Sequence, residues 1–217
     1  MKPAYIDAAF GAKSLRLSDV PSEIRFKVHR LGSLNLPSGQ IIACDPFIPA
    51  DGIPFVDSVA PGRYPVSLSI AAVGDERRVA FAKLEISNAA VRGWRLAEHD
   101  TDRVDVYGLE FRLGYGVDWA MGCFMDVQVV QLLYKVMEED PYYHQVIIDA
   151  AYANATDRWQ WADIRPDPNS DLNIILFESG WGDGFYSSYA GLDEADQIAC
   201  LVTDFDVLPE SHRKDLR

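Results

Sequence analysis

A chain of 217 residues that is 48% hydrophobic, 12% aromatic and 24% charged fits a single globular domain over residues 1–217. It excludes a disordered, collagen-like or disulfide-stapled chain. With 20 Lys/Arg against 33 Asp/Glu the formal net charge is −13, which argues against nucleic acid and anionic membrane as partners, because both attract basic surfaces.

The first half reads as strands. Residues 23–30 alternate polar and apolar side chains, the period-2 signature of a half-buried strand, and residues 40–44 form a short apolar run that stops at Asp45-Pro46. Residues 46–62 carry four prolines and two glycines and are read as a structured loop. Residues 64–70 alternate again and residues 78–86 follow, with Gly74-Asp75-Glu76 between them supplying the turn of a hairpin. Shorter strands are expected at residues 93–96 and 109–113.

The period then changes. Gln128, Gln131, Lys135 and Glu138 recur at helical spacing and leave an apolar face of Val130, Leu133, Tyr134 and Met137. Asp126 is placed to cap this helix, and Pro141 ends it near Asp140. A second helix is expected from Pro141 to about Asn154, with Tyr142, Val146, Ile147, Ala150 and Ala151 on its apolar side. A connection containing Trp159, Trp161, Pro166 and Pro168 leads back to strands at residues 172–177, 185–190 and 197–202. Strands, two consecutive central helices and strands again predict an α+β fold with mainly antiparallel sheet.

The charge is uneven. Residues 1–108 hold 13 Lys/Arg and 13 Asp/Glu, so the whole net charge falls on residues 109–217, with a short basic C-terminal tail. Such asymmetry marks either a solvated acidic surface or a surface for a basic partner. Residues 1–7 lack the apolar core of a signal peptide, and no stretch approaches the roughly 20 apolar residues of a membrane span. Cys44, Cys123 and Cys200 are odd in number and widely spaced, which fits a reducing cytoplasm. His29, His99, His144 and His212 are too dispersed for a structural zinc site.

Three constellations could carry chemistry. Ser179-Gly180-Trp181-Gly182-Asp183-Gly184-Phe185-Tyr186 alternates glycines between two strands. It is read either as a demanding hairpin loop plugged by Trp181 or as one wall of a pocket using Ser179, Trp181, Asp183 and exposed amides. In residues 116–126 Cys123 precedes a helix whose N-terminal dipole would favour a thiolate, against the reading of a buried inert cysteine. Asp118, Asp126, Asp183 and Asp204, if they converge, would hold Mg²⁺ or Ca²⁺; no other cofactor is expected.

Gly62-Arg63-Tyr64-Pro65-Val66, Val117-Asp118 with residues 122–126, residues 179–184 with Tyr186, and Leu201-Val202-Thr203-Asp204-Phe205 occur in that order. Together they resemble a mostly bacterial family known only as domain of unknown function number 4241, over roughly residues 35–206. The resemblance implies a glycine and a small residue where this chain has Ala120 and Met121. It implies no activity, cofactor or catalytic residue.

Two functions stand against each other. One is a binding module, such as an inhibitor or antitoxin-like partner of a basic protein or a binder of a small cationic ligand, using the acidic half. The other is a hydrolase, metal-assisted through the four aspartates or thiol-based through Cys123. The segments 116–126 and 179–186, the latter ending in the candidate ligand-binding residue Tyr186, are expected to face one cleft with Asp204 close by.

Overall fold

A computed structural model describes residues 4–11, 14–16, 23–49, 52–100, 113–156 and 159–208. In chain order these form α1 (Ala4–Phe10), β1 (Ser14–Leu15), β2 (Ile24–Leu36), β3 (Gln40–Cys44), β4 (Pro54–Ser58), β5 (Gly62–Val73), β6 (Glu76–Glu85), β7 (Gly93–Leu96), β8 (Tyr115–Val117) and β9 (Met121–Asp126). They continue with α2 (Val127–Glu139), α3 (Tyr143–Ala153), β10 (Trp161–Ile164), β11 (Ile174–Glu178), β12 (Gly184–Leu192) and β13 (Ile198–Asp204). The fold is α+β, its sheets are antiparallel, and its two consecutive helices stand in the middle.

The first sheet runs β1-β2-β5-β6-β13-β12-β7, with β8 also paired to β12. Its spine is the long hairpin β5–β6, closed by Gly74 and Asp75 between Val73 and Glu76. Gly74 has φ of 60°, the left-handed geometry that a two-residue hairpin turn requires. The second sheet runs β10-β11-β9-β3-β4. Leu34, Val66 and Phe81 of the first sheet share one apolar cluster with Ile41, Phe124, Ile175 and Phe177 of the second.

β9 is buried along its whole length, because the second sheet is covered on both faces. Phe124 joins the core between the sheets, while Met121, Cys123 and Met125 join a separate cluster with Val129 and Leu133 of α2 and Tyr143, Ile147 and Ala151 of α3. The order is therefore helices on sheet on sheet. Asp126 caps α2 as expected: Gln128 N–H donates to its Oδ1 at 2.9 Å. Its Oδ2 accepts from both the N–H and the hydroxyl of Ser38, at 2.9 and 2.7 Å, which ties the β2–β3 turn to the helix start.

Several expectations need correction. The segment 46–62 is not only loop: β4 lies within it and pairs at the edge of the second sheet, its first residue Pro54 opposite Ile42. Proline is tolerated at such an edge and strand start. The Trp-containing connection holds β10, whose Ala162 and Ile164 are buried. The second helix begins at Tyr143 rather than Pro141, because Asp140 Oδ1 first holds Tyr142 N–H in a turn. A strand lies at Tyr115–Val117; residues 109–112 of the expected 109–113 strand, and the tail 209–217 with His212, lie outside the described residues. No helix among the described residues is long and apolar enough to cross a membrane.

Candidate functional site

The segments 116–126 and 179–186 are laced together by two strand ladders and by hydrogen bonds between them. Val117 pairs with Gly184 and Gly116 with Phe185 through β8–β12, and Met121 pairs with Glu178 through β9–β11. Between these ladders Ala120 N–H donates to Asp183 Oδ1 at 3.0 Å, and Ser179 N–H donates to the Ala120 carbonyl at 3.0 Å.

Most polar groups of the glycine-rich segment are used internally. Ser179 hydroxyl donates to the Gly182 carbonyl at 2.8 Å, and Tyr186 hydroxyl donates to the same oxygen at 2.7 Å. Gly180, with φ of 47°, packs so closely on Phe205 that a Cβ there would meet the Phe205 carbonyl at 2.7 Å. Phe205 follows Asp204, whose carboxylate accepts from Asp206 N–H at 2.9 Å. Trp181 is 57% exposed, with the Arg78 guanidinium 4.7 Å above its ring.

The four aspartates do not gather. Asp126 is buried at the helix cap, Asp183 serves Ala120, Asp204 closes the turn after β13, and Asp118 is exposed. Among the described residues no three His, Cys, Asp or Glu side chains are placed to hold one ion. Cys123 is buried within β9, its sulfur 3.8 Å from that of Cys44, and burial pushes its thiol well above the ordinary range. Phe124, Met125 and the cap Asp126 separate it from the first residue of α2, so it stands in the strand and not at the helix start where the sequence suggested a thiolate.

The sequence reading passed over Asp45. Buried at the end of β3, it accepts from Phe47 N–H at 2.8 Å and from Asp118 and Trp119 N–H at 2.9 and 3.0 Å. Burial nevertheless raises its carboxyl above the usual range. The two bonds to Oδ2 fix the course of residues 118–119, and with it the Trp119 side chain, which is 54% exposed and lies 5.0 Å from the Phe47 ring.

Trp119 and Tyr152, the latter 63% exposed, border a cleft of about 250 Å³ between α3 and the ends of β9 and β11. Phe47 and Ala120 line it as well, and Glu178 brings the carboxylate. Burial raises the Glu178 carboxyl, opposed by nearby Arg78 and by the Gln160 backbone. Arg78 forms its ion pair with Glu76, at 2.8 Å, and Glu178 has none among the described residues. Exposed ring faces beside a carboxylate partly withdrawn from water suit a cation on an apolar stem. Glu178 was missed because it ends an apolar strand, where a lone acid reads as a boundary residue. Tyr152 was missed because the apolar side expected for its helix did not include it; of that side Ile147 and Ala151 are buried, while Tyr142 and Val146 are exposed.

A family model described as a protein of unknown function (DUF4241) matches residues 34–203, and the chain belongs to that family. No curated protein and no solved structure matches it.

Proposed function

We propose that this member of the DUF4241 family is a binding module for a basic partner, and that the cleft between Trp119 and Tyr152 receives a lysine or arginine side chain of that partner. One observation carries this reading: Glu178 has no ion pair among the described residues, and its carboxyl is raised by burial at an aromatic-rimmed opening. A cation entering there gains a desolvated carboxylate and two ring faces at once. Asp118, Asp183 and the other acids of residues 109–217 would speed the approach of a basic surface. A basic inhibitor target or the toxin of an antitoxin-like pair has the required charge.

The hydrolase alternative has less to stand on, since the four aspartates are dispersed and the Cys123 thiol is buried. We place the protein in the bacterial cytoplasm, a reading supported by three free, buried cysteines, two of them 3.8 Å apart and unbonded.

Calorimetric titration with the peptide acetyl-Gly-Arg-Gly-Lys-Gly-amide at low and high salt tests the reading. Binding that falls with salt, and that falls about tenfold or more in Glu178→Gln and in Trp119→Ala, is expected. No binding at millimolar peptide, or equal affinity in all three proteins, would remove it.

A further inference from the structure

The acidic protein carries a basic cavity on its neutral half. Alternate residues Arg25, Lys27 and His29 share one face of β2. Arg25 pairs across β5 with Ala72, and Ala72 pairs with Arg77 of β6, so the two guanidinium groups flank a methyl-sized side chain in one cross-sheet row. Lys27 stands opposite Ile70 in the next row. These residues line a cavity of about 550 Å³, closed on the far side by Thr156 and Trp159 from the connection between α3 and β10. The Trp159 ring meets His29 edge-on at 4.8 Å.

Three positive side chains line this cavity, and among the described residues none has an ion-pair partner. The ion pairs of the described residues engage Arg63, Arg78, Lys83, Arg95, Lys135 and Arg165, and none reaches Arg25, Lys27 or Arg77. Arg77 donates to the carbonyls of Gly74 and Glu76, which holds it at the hairpin end. The His29 imidazole is held below its ordinary range by burial and by the charge of Lys27, so the local potential is felt as positive. Like charges left together cost free energy that an anion recovers, and two arginines present forked donors suited to phosphate or carboxylate oxygens. The volume lies within the roughly 300–1,000 Å³ of small-molecule sites. Ile70, Ala72 and Trp159 add an apolar wall.

We propose that this cavity binds a small organic anion, a phosphorylated or polycarboxylated molecule whose charged group meets Arg25, Lys27 and Arg77 and whose apolar body lies against Trp159. The site is distinct from the Glu178 cleft and stands or falls independently of it.

Phenyl phosphate and phthalate are the probes, one for each anion source, titrated into the full chain with amide shifts followed by NMR. Saturable binding below about 1 mM, with shifts centred on β2, Thr156 and Trp159, is expected for at least one probe. The double variant Arg25→Gln/Lys27→Gln should weaken it about tenfold or more, and Arg77→Gln should weaken it separately. All three side chains are exposed, so the variants keep their fold, which an unchanged melting curve verifies. Glu178→Gln should leave the affinity unchanged. Absence of binding by both probes at about 5 mM, or equal affinity in the wild type and the double variant, would overturn the proposal.

Discussion

Ala120 and Asp183, 63 positions apart in the chain, are joined by a hydrogen bond in which the Ala120 N–H donates to Asp183 Oδ1 at 3.0 Å. Ala120 makes this bond from a left-handed backbone, with φ of 54°. That geometry costs a residue with a Cβ about 1–2 kcal/mol, whereas glycine enters it freely. The glycine that the family resemblance implies here thus has a conformational reason. Because glycine also loses about 0.5–1 kcal/mol through its freer unfolded chain, Ala120→Gly is expected to leave stability unchanged or raise it by up to about 1.5 kcal/mol. Asp183→Ala should lower it by about 0.5–1.5 kcal/mol through the lost acceptor. Urea denaturation of both variants checks this, and a clear loss of stability in Ala120→Gly would contradict the conformational argument.

Gly180 and Gly74 both have positive φ, at 47° and 60°, yet their surroundings differ. A Cβ at Gly180 meets the Phe205 carbonyl at 2.7 Å, Phe205 Cβ at 2.9 Å and Val207 Cγ2 at 3.0 Å, while nothing lies within 4 Å of one at Gly74. Gly180→Ala adds a clash to the backbone penalty and should cost about 2–4 kcal/mol. Gly74→Ala carries the backbone penalty alone, about 1 kcal/mol. Equal losses in denaturant midpoint for the two variants would show that the glycine-rich loop is not pinned on Phe205.

What the sequence revealed follows how local its determinants are. The β5–β6 hairpin, the Asp126 cap and the two helices rest on alternation, a turn pair and helical spacing within a few residues, and the structure has all of them. β9 and β10 escaped notice for the opposite reason. β9 is covered on both faces and so does not alternate, and the buried positions of β10 are only Ala162 and Ile164 between prolines and tryptophans. At the candidate cleft, the segment 116–126 was singled out by its glycines, acids and thiol. Glu178, Tyr152 and Asp45 acquire their roles only from distant partners, as when Asp45 accepts from Asp118 and Trp119, 73 and 74 positions away. No local period records such a contact.

His99 gives a pH dependence of definite sign. It is buried beside Phe55, its Nδ1 lies 2.8 Å from the Ile53 carbonyl, and Nε2 has no hydrogen-bond partner among the described residues. Burial holds its pKa below the ordinary 6.5, opposed by the Ile53 contact. The unfolded chain therefore binds the proton first. The stabilising contribution is complete above about pH 6.5 and is lost as pH falls toward the lower folded value, at no more than about 1.4 kcal/mol per pH unit. Melting temperature should decline over that range, and the decline should be shallower in His99→Asn. His29, lowered in the same direction, supplies a residual slope. A slope equal in both proteins would mean that His99 takes up its proton without unfolding.

Thiol chemistry is the sharpest check on the hydrolase alternative. Cys44, Cys123 and Cys200 are all buried and unbonded. Burial pushes the Cys200 thiol up to about 11 and Cys123 well above its ordinary range, the latter aided by its neighbour Cys44. A nucleophilic cysteine needs the reverse, a lowered pKa with access to solvent. Iodoacetamide at pH 7.5 is therefore expected to leave all three thiols unmodified in the folded protein and to alkylate all three in guanidinium. Cys123→Ala should lower stability by about 1 kcal/mol, as loss of a packed sulfur does, while leaving the affinity for the arginine-lysine peptide unchanged. Rapid alkylation of Cys123 in the fold, located by peptide mass mapping, would show that β9 opens and would return the thiol to consideration as a nucleophile.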